Sequence, residues 1–197
     1  MKLIGITSES CGIGETKRVI EALDAGFCYI HVRKPSFTNY EMNRYLKSIP
    51  QKYYSRITLG SNFALINDFP LGGIHLKQNI EVEHANNLRI SRSCHTIEEV
   101  VSKSKTCDYV FLSPIFNSIS KCGYNSNFSE HSLMEYAKKG LLKKVVALGG
   151  VEANNIELLN KYEFYGAAVL GYLFSADIDV QEFSNRLKII VSKNINI

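Results

Sequence analysis

The sequence has no apolar run long enough to cross a bilayer, no C-x-x-C pair and no block of basic residues. Each absence removes a class of function. Without about 20 consecutive apolar residues there is no transmembrane helix to consider. The opening MKLIGITSES has an apolar stretch too brief for the core of a signal peptide, and it reads at once as a strand. The five cysteines (Cys11, Cys28, Cys94, Cys107, Cys122) are odd in number and widely spaced, which indicates neither a disulfide framework nor a zinc site. Reduced thiols of a cytoplasmic protein are expected. Lys and Arg exceed Asp and Glu by 23 to 19, yet the cations Lys2, Lys17, Arg18, Arg33, Lys34, Lys121, Lys143 and Lys144 are scattered. None forms the aromatic-interleaved patch that tracks nucleic acid. Arg33 and Lys121 apart, these cations are expected on a solvated surface, and the partner is expected to be a small anionic molecule. A homo-oligomer is left open. Only 4 Pro stand against 13 Gly, and 45% of the residues are hydrophobic, so the chain is ordered and globular.

What is present is alternation. Short β-branched apolar runs alternate with helical patterns, the mark of a parallel α/β architecture. Strands read at Leu3–Thr7, Phe27–Arg33, Ile57–Ser61, Gly73–Leu76, Arg89–Ser93, Tyr109–Ser113, Val145–Gly149 and Ala167–Gly171. Eight strand-helix units in one domain of 197 residues predict a closed (β/α)₈ TIM barrel. Helices are expected at Glu15–Ala25 ending on Gly26, at Ser129–Lys139 ending on Gly140, and at Val180–Lys193, with Phe183, Leu187, Ile190 and Val191 on one face. Thr96-x-x-Glu99 reads as a capping box. Phe63–Gly72 contains Asn67, Asp68 and Pro70, so the helix there is short or irregular. Ile119–Phe128 is a polar loop after strand six, where barrel active sites are built.

The candidate chemistry follows from strand parity. Gly149-Gly150 ends strand seven before a helix start, where free N–H groups favour an anion; a plain strand-to-helix turn is the alternative. Gly171 ends the neighbouring strand. His31 and Arg33 share a face of strand two, directed into the barrel mouth, where Arg33 suits a phosphate and His31 suits either proton exchange or a hydrogen-bonded core position. His75 shares that direction on strand four and the same two readings. Ser93 is placed to bond a ligand, whereas His95 fits a turn-stabilising role. Cys94 and His95 are sequence neighbours on a strand and point to opposite faces, so they form no thiol-base pair. Ser113–Lys121 gathers hydroxyls and a lysine of the kind that phosphate oxygens need; a solvated polar loop is the alternative.

In order and spacing, the segments GIHL (Gly73–Leu76), SCHTIEE (Ser93–Glu99), DYVFLSPIF-x-SISK (Asp108–Lys121), VVALGGV (Val145–Val151) and GAAVLG (Gly166–Gly171) resemble the family of thiamine phosphate synthase (thiamine-phosphate pyrophosphorylase) and its relative TenI, a thiazole tautomerase. The resemblance implies that Gly150, Leu170 and Gly171 hold the phosphate of a thiazole, and that Ser118, Ser120 and Lys121 stand for the family's T-x-T-K. A synthase joins a pyrimidine pyrophosphate to thiazole phosphate and needs Mg²⁺ on carboxylates plus cations for the leaving group. Against the family's Q-L-R-E-K this chain keeps Arg33 but has His31, Lys34 and Pro35, so the leaving-group lysine is missing. The family's N-D pair falls on Ser61-Asn62, and its second carboxylate falls on Ile80 in Lys77-Gln78-Asn79-Ile80. The implied reaction is a metal-independent thiazole tautomerisation with His31 and His75 transferring protons, Arg33, Ser61, Asn62 and Ser93 contacting substrate, and no cofactor. The alternatives are a working synthase that recruits Mg²⁺, through Asp68 or another carboxylate, and a non-catalytic thiazole or thiamine phosphate binder. Against a simple tautomerase stands Pro114, where some tautomerases place a histidine.

Overall fold

The computed structural model describes residues 1–77, 87–117 and 128–195. Eight parallel strands close into a barrel in which each pairs with its sequence neighbour and the last returns to the first. They are β1 (Lys2–Ile6), β2 (Tyr29–Val32), β3 (Ile57–Leu59), β4 (Gly73–Leu76), β5 (Arg89–Cys94), β6 (Tyr109–Leu112), β7 (Val145–Ala147) and β8 (Gly166–Val169). Ile4 opposite Ala168 seals the ring. The helices are α1 (Glu15–Asp24), α2 (Asn39–Lys47), α3 (Ile97–Lys103), α4 (Glu130–Lys138), α5 (Ile156–Leu159), α6 (Gly171–Phe174) and α7 (Val180–Ile195). The expected (β/α)₈ barrel is therefore present, with ends shifted by one or two residues. Strand β7, for instance, stops short of Gly149: the Leu148 N–H still reaches the Leu112 carbonyl at 3.0 Å, and then Gly149 turns to a φ of 90°. None of the described helices is long and apolar enough to cross a membrane.

Period two along each strand divides the core. Outward residues such as Leu3, Ile30, Val32, Leu59 and Leu112 bury against Val19, Leu23, Leu46, Val100 and Phe183 of the helices. Phe183, Leu187 and Ile190 seat α7, and Val191 packs beside them half-buried. Helix starts follow the side chains. Thr38 and Glu41 form a reciprocal capping box on α2 that was not expected, although T-x-x-E is legible there. At α3, Thr96 accepts from the Glu99 N–H as expected, while the Glu99 carboxylate also takes the His95 N–H at 2.6 Å and Lys103 at 2.8 Å. The segment after β3 is a single 3₁₀ turn, Phe63–Asn67, capped by Asp68.

Inward residues fill the barrel. Ile4, Ile6, Tyr109, Phe111, Val146 and Ala168 form its apolar plug, with His31, Thr58 and Ser91 buried among them. At the amino end, Tyr29, Tyr109 and Tyr165 stack with centroids 5.9 and 5.6 Å apart. Lys2 was expected on a solvated surface. Instead its Nζ lies 4.3 Å over the Tyr165 ring and donates to a tyrosine hydroxyl at 2.5 Å, because position 2 shares the inward parity of Ile4. Arg89 lies 3.9 Å over Tyr29. With the amino end so filled, the carboxyl ends of the strands form the mouth.

Candidate functional site

A cavity of about 590 Å³ opens at the carboxyl ends of β6, β7 and β8. Its wall includes Ser113, Gly149, Gly150, Leu170, Gly171 and Tyr172, with Ala168 reaching it from inside the barrel. The expected phosphate residues Gly150, Leu170 and Gly171 are thus brought to one surface. The N–H groups of Gly149, Gly150, Val151, Gly171 and Tyr172 donate to no acceptor among the described residues. Asn155 keeps the turn open: its amide donates to the Gly150 carbonyl at 2.8 Å and accepts the Glu152 N–H at 3.0 Å. The glycines have a second reason to be there. A Cβ on Gly149 would lie 2.8 Å from Pro114 Cα, and one on Gly150 would lie 2.5 Å from the Asn117 carbonyl. The chain after β6 crosses this close to β7, with the Ile115 and Phe116 N–H groups bonded to Leu148 and Gly149. Close backbone packing and an anion-ready turn coincide in the same two residues.

The opposite half of the mouth holds the histidines, neither of which lines that cavity. His75 Nδ1 lies 3.0 Å from Ser91 Oγ and Nε2 lies 3.1 Å from Ser93 Oγ. The Ser91 hydroxyl donates to the Ile74 carbonyl, so it accepts from His75 Nδ1–H. In the tautomer consistent with that bond, Nδ1 carries the proton and the unprotonated Nε2 faces the Ser93 hydroxyl. Burial, then the Arg92 charge, lower His75 from 6.5 to about 4, which leaves it neutral near pH 7. His31 is deeper. Its Nε2 lies 2.7 Å from the Tyr109 hydroxyl, its ring meets His75 edge-on at 5.5 Å, and burial followed by the His75 and Arg89 charges holds its pKa well below the ordinary value. Both readings of His31 stay open: the Tyr109 bond suits a hydrogen-bonded core position, and the edge contact with His75 suits proton exchange through that residue. His95 is exposed, with Nδ1 3.0 Å from the Ser113 carbonyl, while Cys94 is buried and its thiol is pushed up to about 11 by burial.

At the end of β2 the sequence reading needs correcting. Arg33 is not enclosed: its side chain is 47% exposed and pairs with Glu9 at 2.5 Å, so it bears little desolvation cost for a ligand to offset. Lys34, expected on a solvated surface, is 0% exposed. Its ammonium donates to the Ser8 carbonyl at 2.6 Å, the Ser10 carbonyl at 2.9 Å and Glu15 at 2.8 Å. Tyr45 donates to the same carboxylate at 2.8 Å, and burial, then Glu15, hold its hydroxyl well above the ordinary range. The reason is local: past β2 the inside-outside alternation ends, and the Lys34 stem turns under the loop joining β1 to α1.

Ser61 and Asn62 lie beside this corner. Ser61 Oγ lies 3.1 Å from the Lys34 carbonyl and 2.8 Å from the Asn62 amide oxygen, either of which can take its one proton, while the Asn62 nitrogen donates to the Phe37 carbonyl and Asn39. Asn62 therefore clamps the loop between β2 and α2. Asp68, the other candidate carboxylate, is exposed beyond the 3₁₀ turn, on the path back to the start of β4. Among the described residues no group of three or more His, Cys, Asp or Glu could hold a metal ion. Ser118, Ser120, Lys121 and Ile80 lie outside the described residues, as does most of the loop 119–128.

Both glycine ends thus lie at one cavity and GIHL forms β4, and the comparisons decide the kinship. The sequence model of a family described as thiamine monophosphate synthase matches residues 3–173. The chain belongs to that family. A thiamine-phosphate synthase of Dictyoglomus turgidum is 30% identical over 168 residues, spanning 79% of this chain and 75% of that protein. One from Flavobacterium johnsoniae is 23% identical over 88% of this chain and 90% of its own. The crystal structure of a thiamine phosphate pyrophosphorylase from Bacteroides thetaiotaomicron is 32% identical, covers 98% of both chains and superposes with a TM-score of 0.87.

Within the thiamine monophosphate synthase family frame, four residues packed against the candidate site escaped the sequence reading. Tyr109 was legible, since it shares the inward parity of Phe111. Glu9 and the buried Glu15–Tyr45 pair carry no sequence signal, because each meets β2 only through the folding of a loop.

Proposed function

We propose that the protein binds a thiazole phosphate and catalyses its metal-independent tautomerisation. The observation that carries this reading is Lys34. The one lysine beside Arg33 at the end of β2 is wholly buried on Glu15 and two carbonyls, and so offers nothing to a pyrophosphate leaving group. The phosphate side is supported by five N–H groups at the ends of β7 and β8 that donate to no acceptor among the described residues and line the cavity.

A tautomerisation removes a proton from one ring position and returns one at another, with no change of oxidation state. His75 Nε2, unprotonated and facing Ser93, is the proposed acceptor, reaching substrate directly or through the Ser93 hydroxyl. His31 is the second proposed proton-transfer residue, packed behind His75. Arg33, Ser61, Asn62 and Ser93 are the proposed substrate contacts on this side, with Ser118, Ser120 and Lys121 closing the phosphate side. No proposed step passes through Mg²⁺.

The synthase names of the relatives favour a second reading, in which the protein condenses a pyrimidine pyrophosphate with thiazole phosphate. One experiment separates them. The protein is given a thiazole carboxylate phosphate alone, and separately both synthase substrates with Mg²⁺. Isomer conversion without metal, lost by about 10²-fold or more in H75Q, is expected. Rapid thiamine phosphate formation in the second reaction would overturn the proposal.

A further inference from the structure

We propose that Arg186 is the positioning residue of the phosphate seat: from α7 it holds Tyr172, and with it the open backbone N–H groups that follow β8, in the orientation that receives a phosphate. The proposal rests on the thiazole phosphate reading and adds to it a residue that lies at no strand end.

The cavity at the carboxyl ends of β6, β7 and β8 continues past the glycine turns to α7, where Glu182 and Arg186 line it together with Gly171 and Tyr172. The turn after β8 is anchored on one side by its own chain. Leu173 and Phe174 are buried, and their N–H groups donate back to the Leu170 carbonyl at 3.2 and 2.7 Å. The Gly171 and Tyr172 N–H groups have no acceptor among the described residues, so nothing bonded to them sets their direction. Arg186 sets it from the carbonyl side. Its Nη1 donates to the Tyr172 carbonyl at 2.9 Å, and its guanidinium carbon lies 5.1 Å from the centroid of the Tyr172 ring. One planar group thus grips the main chain and the side chain of the residue whose N–H is open. Glu182, one turn earlier on α7, takes Nη2 and fixes the guanidinium in turn.

Tyr172 also lies within electrostatic reach of the other glycine turn. Burial raises its hydroxyl above the ordinary value, the Arg186 charge opposes that, and the carboxylate of Glu152, just past Gly149-Gly150, adds to it. Charge alone does not account for Arg186. It is the one cation among the described residues of the cavity wall, but Glu152, Asp177 and Glu182 line the same wall and outnumber it. What the guanidinium supplies is fixed geometry, and donors aligned before binding cost a ligand less to engage.

The test is calorimetric binding of a thiazole carboxylate phosphate, and of the same thiazole with a free alcohol in place of the phosphate ester, to the wild type, R186Q, R186K and E182Q/R186Q. Circular dichroism at the binding temperature checks that each is folded. R186Q should weaken the phosphate ester by about tenfold, the loss of roughly one charge-assisted hydrogen bond, and leave the alcohol within about twofold. In turnover the loss should fall on KM, with kcat little changed, because the proton transfer lies across the mouth. R186K, whose ammonium can still donate to the Tyr172 carbonyl, should regain about threefold of the affinity, and E182Q/R186Q should regain none. Wild-type affinity for the ester in R186Q, equal weakening of ester and alcohol, or an R186K no better than R186Q would overturn the proposal. So would recovery in E182Q/R186Q, which would make charge balance the whole effect. A wild type that binds ester and alcohol alike would remove the phosphate seat itself, a failure of the underlying reading visible before any variant is compared.

Discussion

Replacing Lys34 by Met should be among the most damaging single changes available outside the apolar core. In the native state its ammonium is fully buried and makes three short bonds, one to a carboxylate only 5% exposed. Met fills the stem volume but leaves the Glu15 charge with the Tyr45 hydroxyl as its close donor and takes the ammonium from two carbonyls, of which that of Ser10 keeps the Ser8 hydroxyl. Breaking a buried pair by deleting one partner costs about 3–5 kcal/mol, against a total stability of about 5–15 kcal/mol for a domain. For a chain of this size that corresponds to a melting temperature lower by about 10 °C. The triple variant K34M/E15M/Y45F removes the stranded carboxylate and hydroxyl together and should regain most of the loss. Thermal unfolding followed by circular dichroism measures both. A K34M loss below about 1 kcal/mol, or a triple variant no better than K34M, would refute the view of this corner as a closed ionic cluster.

Stability should also fall with acid before the carboxylates titrate. His75 has a folded pKa of about 4 against an ordinary 6.5, so the unfolded chain takes up its proton first; the stability this group secures is complete above about pH 6.5 and is lost as pH drops toward 4, by about 3 kcal/mol. H75Q should flatten that slope in urea titrations run from pH 7 to 4, and an unchanged slope would contradict the burial argument. Gly149→Ala places a Cβ 2.8 Å from the Pro114 backbone at a φ of 90°, so a loss of about 2–4 kcal/mol is expected from equilibrium unfolding. Thiol labelling with mass-spectrometric mapping should find exposed Cys11 modified in the native protein well before Cys94, whose buried thiol is pushed up to about 11. Comparable rates at the two would count against the core placement of Cys94.

The barrel was legible because its signal is repetitive. Period two in β2, β4 and β6 places His31, His75 and Phe111 inward from sequence alone, and eight such runs close a ring. The phosphate turn was legible through two glycines, although half of their reason, the crossing of Pro114–Asn117, is a contact between distant segments. What stayed hidden lies where alternation stops. Lys34 follows the last residue of β2 and resembles any surface lysine until the loop after β1 folds over it. Arg33 read as an interior cation because parity was extended one residue too far, and its partner Glu9 sits on a loop with no periodic signal. Lys2 was misread for the opposite reason, since its parity with Ile4 was available and outweighed by its charge.

The most direct test of the account is a crystal structure of the protein with a thiazole carboxylate phosphate bound. The phosphate should accept from the backbone N–H groups of Gly150 and Gly171, with the ring directed across the mouth toward Ser93 and His75. A phosphate seated away from both glycines, whether on Arg33 or at another surface, would contradict it.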